Sequence, residues 1–121
     1  MEKELRMFKA LSQETRFRII HILVKSRKAL CICEIMDALN KLEYDISRSL
    51  NILKNAGLVK TGRCGKVKLF EMKDDTEFDK CVKTFFMTMK PEKNSILEKD
   101  LKLLKKRLSL RVNNRCVITY K

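Results

Sequence analysis

The chain has 121 residues, with 28 Lys and Arg against 15 Asp and Glu, one His and a formal net charge of +13. That length holds one core, and 45% hydrophobic content is too high for a disordered segment. No apolar run approaches the ~18 residues of a membrane span, and residues 1–16 lack the apolar centre of a secretory leader, so a cytoplasmic, non-membrane protein is expected. Five Cys cannot all pair internally, and in a reducing compartment the thiols are expected to be mostly free. The three Gly fall at 57, 62 and 65 and the single Pro at 91. Uninterrupted helix is therefore possible before residue 57 and after residue 91, with tight turns between. The fold class expected is mostly α with one small β-hairpin.

Residues 2–11 read as a short helix with Leu5, Phe8 and Leu11 on one side. Ser12 suits an N-cap for a second helix running to about residue 25, in which Phe17, Ile20, Leu23 and Val24 recur at helical spacing. The lone His21 lies within that apolar pattern and reads as a packing residue. A third helix covers roughly residues 30–39, and Asn40-Lys41 suits a turn. A fourth spans about residues 44–56 and has two faces. Ile46, Leu50, Leu53 and Ala56 form an apolar stripe, while Tyr44, Ser47, Arg48, Asn51 and Lys54 lie away from it. Asn, Arg, a hydroxyl and an aromatic are the side chains a helix uses on base edges and phosphates in a major groove.

Gly57 suits a left-handed helix cap. The β-prone flanks of residues 58–61 and 67–72 then enclose Gly62-Arg-Cys-Gly65-Lys, a hairpin whose tip carries Arg63 and Lys66. A basic tip beside a polar helix favours phosphate contact. Thr76-x-x-Asp79 opens a fifth helix to about residue 90, with Cys81 expected to pack within it, and Ser95-x-x-Glu98 opens a sixth. The sixth has a Leu97, Leu101, Leu104, Leu108 seam and ends near Asn113-Asn114. Its cations Lys102, Lys105, Lys106, Arg107 and Arg111 read as a solvated face or a docking surface. The tail from Arg115 to Lys121 reads as β-prone or irregular. The division expected is a domain of residues 1–90 and a helical extension and tail of residues 91–121.

Three segments in order resemble the ArsR/SmtB winged helix-turn-helix repressors. Phe8-Lys-Ala-Leu-Ser-Gln-Glu-Thr-Arg-Phe-Arg-Ile-Ile is similar to that family's opening pattern, and Ser47-Arg-Ser-Leu-Asn-Ile-Leu-Lys-Asn-Ala-Gly-Leu-Val59 to its recognition helix and following turn. Leu30-Cys-Ile-Cys-Glu-Ile35 is similar to its Leu-Cys-Val-Cys-Asp-Leu sensor motif. The resemblance implies a homodimer on double-stranded operator DNA, paired through the first and fifth helices, with Ser47, Arg48 and Asn51 nearest the bases. It also implies a repressor released when a soft metal or metalloid, As(III) first, takes the sulfurs of Cys31 and Cys33.

The motif departs from the arsenic type in one respect: where a third Cys would follow, Met36 stands. A third thiolate would come from Cys64, Cys81, Cys116 or a partner chain, with Cys116 the best candidate. On an ideal helix Cys31 and Cys33 stand about 200° apart, so one ion taking both would unwind the first turn. The family's zinc positions align with Asp74, Thr76, Met87 and Lys90, a set lacking imidazole, and no resident cofactor is implied. The other regulatory possibilities are a thiol-redox signal, through a long-range or intermolecular pair, or no small-molecule inducer at all. An enzyme is not expected: there is no Gly-rich phosphate loop and a single His to serve as a base.

Overall fold

The computed structural model describes residues 1–117. Six helices and one hairpin follow in the order α1 (Glu2–Leu11), α2 (Glu14–Ser26), α3 (Ile32–Leu39), α4 (Glu43–Asn55), β1 (Val59–Cys64), β2 (Val67–Met72), α5 (Glu77–Thr88) and α6 (Ile96–Leu108). The core is drawn from all of them. Ile19, Ile20, Leu23 and Val24 of α2 meet Ile35 and Leu39 of α3, Ile46, Leu50 and Leu53 of α4, Phe70 of β2, Phe86 of α5 and Leu104 of α6. Because α2 is buried on nearly every side, its apolar run needs no polar face.

Local chemistry sets the boundaries. Ser12 does not cap α2: its hydroxyl donates to the Lys9 carbonyl at 2.8 Å and closes α1. Gln13 takes the capping role, its side-chain oxygen accepting the Arg16 N–H at 3.0 Å. Asn40 adopts φ 53° to end α3, which Asn tolerates better than most residues, and the turn expected there forms. The α4–β1 junction depends on Gly57 at φ +82°, followed by a Leu58 N–H to Leu53 carbonyl bond of 3.0 Å. Both expected capping residues of the later helices act as such: Thr76 accepts the Asp79 N–H, and Ser95 the Glu98 N–H.

The hairpin is longer than its glycines suggested. Gly62 lies inside β1 opposite Leu69, and the antiparallel register runs from Val59↔Met72 to Cys64↔Val67. The turn is Gly65-Lys66 alone, with Gly65 at φ +63°, the left-handed first position of a two-residue hairpin loop. Beyond it, Phe70 of β2 exchanges two backbone hydrogen bonds with Leu30, of 2.9 and 2.8 Å, so the segment before α3 acts as a third, one-residue strand.

On α1, the side that turns inward carries Met7 and Ala10, leaving Leu5 and Phe8 exposed. One more expectation needs correcting. The sixth helix ends at Leu108 rather than near Asn113. Asn113 and Asn114, at φ 53° and 60°, instead turn the chain back between Val112 and Arg115, which bond to each other.

Candidate nucleic-acid interface and cysteine cluster

The exposed face of α4 forms as its spacing dictates. Ile46, Leu50 and Leu53 are buried, Tyr44 is 72% exposed, and Arg48, Asn51 and Lys54 are open to solvent. Ser47 is half-buried, at the edge of that face. A shallow depression of about 410 Å³ runs beside Arg48 and is lined by Gln13, Thr15 and Arg16 from the start of α2 and Lys41 from the turn. Gln13, Thr15 and Arg16 carry no sequence signal of a surface role, because they lie some thirty residues before Arg48 and meet α4 only through the packing of α2 on it.

On the hairpin, Arg63 and Lys66 are exposed, as are Lys60 and Lys68. Arg63 stands opposite Lys68 in register, an unfavourable pairing unless an anion is supplied from outside. Lys68 lies over the Phe70 ring, 5.4 Å from its centroid, and Lys60 is 3.7 Å from Glu71, so Arg63 and Lys66 are the freer cations of the tip.

The basic face expected on α6 divides. Lys102, Lys105 and Lys106 are exposed, but the arginines are consumed internally. Arg107 donates to Asp37 at 2.7 Å and to the Val117 carbonyl. Arg111 holds both carboxylate oxygens of fully buried Glu34, at 2.7 and 2.8 Å, and the Ala29 carbonyl at 2.8 Å. In the other direction Asp100 of α6 receives Arg18 of α2 through two bonds of 2.8 and 2.9 Å, and the same guanidinium donates to the Leu39 carbonyl. Hydrogen bonding to Asp100 raises the Arg18 pKa above its ordinary value, and Glu34 does the same for Arg111, each against the cost of burial. These arginines are a clamp between α6 and the α2–α3 pair, not a docking surface. The Leu seam contributes as well, with Leu104 buried and Leu101 and Leu108 half-buried against the core.

Cys31 and Cys33 do not share the helix. Cys31 is the N-cap of α3, with extended backbone (φ −87°, ψ 166°), and Cys33 is in the first turn. The 200° relation of an ideal helix therefore does not hold between them. Both are buried, but Cys31 is bonded to Cys116 across 85 residues. Cys33, Cys64 and Cys81 are free. Cys81 faces outward rather than packing inside, and Cys64 is half-buried just before the wing turn. Cys31, Cys116 and Glu34 bring their ligand-type atoms within 4.8 Å of one another. Glu34 also accepts the Cys31 N–H at 3.1 Å and is otherwise filled by Arg111, so the cluster's available chemistry lies in its two sulfurs. No spacing rule pointed to Glu34 or Arg111, since the contact spans 77 residues.

His21 is fully buried with neither ring nitrogen bonded among the described residues. Burial, helped by Lys25, lowers its pKa from 6.5 to about 4, so it is neutral in the fold. It packs near Phe86 as expected, but without a polar partner.

A helix-turn-helix made by α3 and α4, followed by a two-stranded wing, defines a winged-helix DNA-binding protein. Solved structures agree on the fold: reduced HlyU from Vibrio cholerae covers 69% of this chain and 84% of its own, at TM-score 0.60 and 21% identity. The Mb0332 domain from Mycobacterium bovis (fragment 1–100), described as homodimeric, covers 70% and 72%, at TM-score 0.60 and 24% identity. The family model described as "Bacterial regulatory protein, arsR family" matches residues 13–61. An uncharacterised HTH-type transcriptional regulator of Methanocaldococcus jannaschii, MJ1325, is 39% identical over 74 residues, covering 61% of this chain and 82% of that protein. The chain belongs to the ArsR family, whose members are DNA-binding transcriptional regulators and not enzymes. Among its relatives are a putative arsenical resistance operon repressor of Halobacterium salinarum, 37% identical over 59% of this chain, and the arsenic resistance regulator ArsR2 of Pseudomonas putida, 43% identical over 50%. This chain spans about half the length of those two, 55% and 51%. Among the described residues no helix is long and apolar enough to cross a membrane.

Proposed function

We propose that the protein is a transcriptional repressor that binds operator DNA as a homodimer and is released by a thiophilic metal or metalloid, As(III) in the first place, at the sulfurs of Cys31 and Cys33. The observation that carries the reading is the α4 face: Tyr44, Arg48, Asn51 and Lys54 stand free on a helix whose opposite side is locked into the core. Arg48 and Asn51 would read base edges, with Ser47 at the margin. Arg63 and Lys66 of the wing, with Arg16 and Lys41 beside α4, would hold phosphates and set the register.

The pairing surface is the α1–α5 face. Phe8 and Phe85, 59% and 54% exposed, border an apolar groove of about 370 Å³ that Leu11, Phe17, Phe78 and Cys81 also line. An apolar patch of this kind on a soluble monomer calls for a partner. A second copy placed by two-fold symmetry covers both patches and presents two α4 helices to a palindromic site. The homodimer described for Mb0332 supports that arrangement. For release, Cys31 is at the start of the helix that packs against α4, so a ligand drawing on its sulfur and that of Cys33 acts at the base of the reading element. Metal or arsenic resistance in the names of several relatives supports the ligand class.

The test is selection of random duplexes by reduced protein, followed by fluorescence anisotropy on the selected site. The outcome expected is a palindromic consensus, a steep loss of affinity with salt, and release by As(III) that Cys31→Ser/Cys33→Ser abolishes. Release of roughly 5–150-fold is the usual range of allosteric coupling. Equal affinity for all duplexes at every salt concentration rejects the repressor.

A further inference from the structure

We propose that Cys31 and Cys116 are a reversible dithiol–disulfide site, in which oxidation straps the C-terminal tail onto the start of α3 and makes the repressor deaf to thiophilic ligands. The site is prepared by contacts other than the sulfur bond. Arg107 donates to the carbonyl of Val117, the residue after Cys116. The Val112–Arg115 bridge, with Asn113 and Asn114 left-handed between, turns the chain back toward α3. Arg111, one residue before that turn, is fastened to Glu34, whose carboxylate also takes the Cys31 N–H. Two neighbouring arginines therefore bring Cys116 to Cys31 rather than to free Cys33 two residues on.

The surroundings suit sulfur chemistry. Cys31 caps a helix N-terminus, and the Glu34 carboxylate beside the two sulfurs is paired with Arg111. With a peroxide as oxidant, one thiolate attacks the O–O bond, giving a sulfenic acid and hydroxide, which takes up the proton the thiol had released and leaves as one water. The second thiol displaces hydroxide from that sulfur, forming the S–S bond and a second water. Two electrons pass to the peroxide, and a dithiol reductant returns them.

The position decides the consequence. Leu30, next to Cys31, is hydrogen-bonded to Phe70 of the wing, and the Cys31 carbonyl accepts the Ile35 N–H that opens α3. The disulfide thus ties the tail to the point where wing and helix-turn-helix join. The α4 face stays open with the bond in place, so the oxidised protein keeps its reading surface. What it loses is the free Cys31 sulfur. The second half of the proposal rests on the metalloid-responsive repressor reading above; the first half does not.

The experiment compares full-length protein after dithiothreitol, after hydrogen peroxide, and after peroxide followed by dithiothreitol. Peptide mass spectrometry of the oxidised protein is expected to show a Cys31–Cys116 pair, with Cys33, Cys64 and Cys81 alkylatable after unfolding. The bond closes a long loop, so the oxidised form is expected to melt about 10 °C above the reduced one. Operator affinity is expected to agree within about threefold between the two forms. As(III) is expected to release the reduced protein, to leave the oxidised protein bound, and to release it again once dithiothreitol has reopened the bond. A pair at any other cysteines, or free Cys31 and Cys116 after peroxide, overturns the site. Equal release of oxidised and reduced protein by As(III) overturns the deafness. If As(III) releases neither form, the ligand reading fails and the deafness with it, while mapping and melting still decide the disulfide.

Discussion

The reading half and the anchoring half of the molecule spend the same residue type in opposite ways. Arg48 on α4 and Arg63 on the wing are exposed and, among the described residues, make no ion pair. Arg18, Arg107 and Arg111 reach inward and each takes an acid, Asp100, Asp37 and Glu34 respectively. An arginine does not announce which use it serves; the carboxylate facing it does. The net charge of +13 is therefore not a uniform coat. Part of the basic complement is neutralised at the α6 clamp, while Arg48 and Lys54 of α4 and Arg63 and Lys66 of the wing stay open to solvent, as do Lys105 and Lys106 of α6.

The comparison breaks most visibly at the clamp. Arg18→Leu leaves the buried Asp100 carboxylate without its partner, and a broken buried pair costs about 3–5 kcal/mol. Denaturant unfolding is expected to show that loss, with much of it recovered in Arg18→Leu/Asp100→Leu. A loss below about 1 kcal/mol for the single variant means that α6 is not held by this pair. At the reading face the opposite signature is expected. Arg48→Ala should weaken operator binding by about 1–3 kcal/mol and leave the unfolding midpoint unchanged. Lys66→Ala should instead weaken all duplexes alike and reduce the salt slope by about one. A variant at either position that mainly lowers stability places that side chain in the fold rather than on DNA.

The smallest effect concerns His21, which belongs to neither half. Its folded pKa of about 4 lies below the unfolded 6.5, so burying the neutral ring contributes stability that is complete above pH 6.5. That contribution is lost as pH falls from 6.5 through about 4, because the unfolded chain takes up the proton first. The unfolding midpoint is expected to fall across that window, and His21→Leu to flatten the fall. An unchanged slope in the variant assigns the acid sensitivity to the carboxylates instead.

How much was legible follows from what each feature depends on. Helical spacing, capping residues and Gly57 act within a few residues of chain, so the helices, the α4 faces and the wing could be read directly. The 3.6-residue period separates Leu50 and Leu53 from Arg48 and Asn51 without reference to any neighbour. Even locally the reading slipped where two residues competed, as when Gln13 rather than Ser12 capped α2, or where a glycine fitted a strand as well as a loop, as Gly62 does.

The sequence by itself determined the fold class, the two faces of α4 and the family, because periodicity and short motifs carry them. Only the tertiary structure decided that Arg107 and Arg111 face inward, that Phe8 stays outside, and that Cys31 meets Cys116 rather than Cys33. Those outcomes join residues up to 85 apart, where chain distance says nothing of spatial distance and the packing of α6 on α3 settles which groups touch.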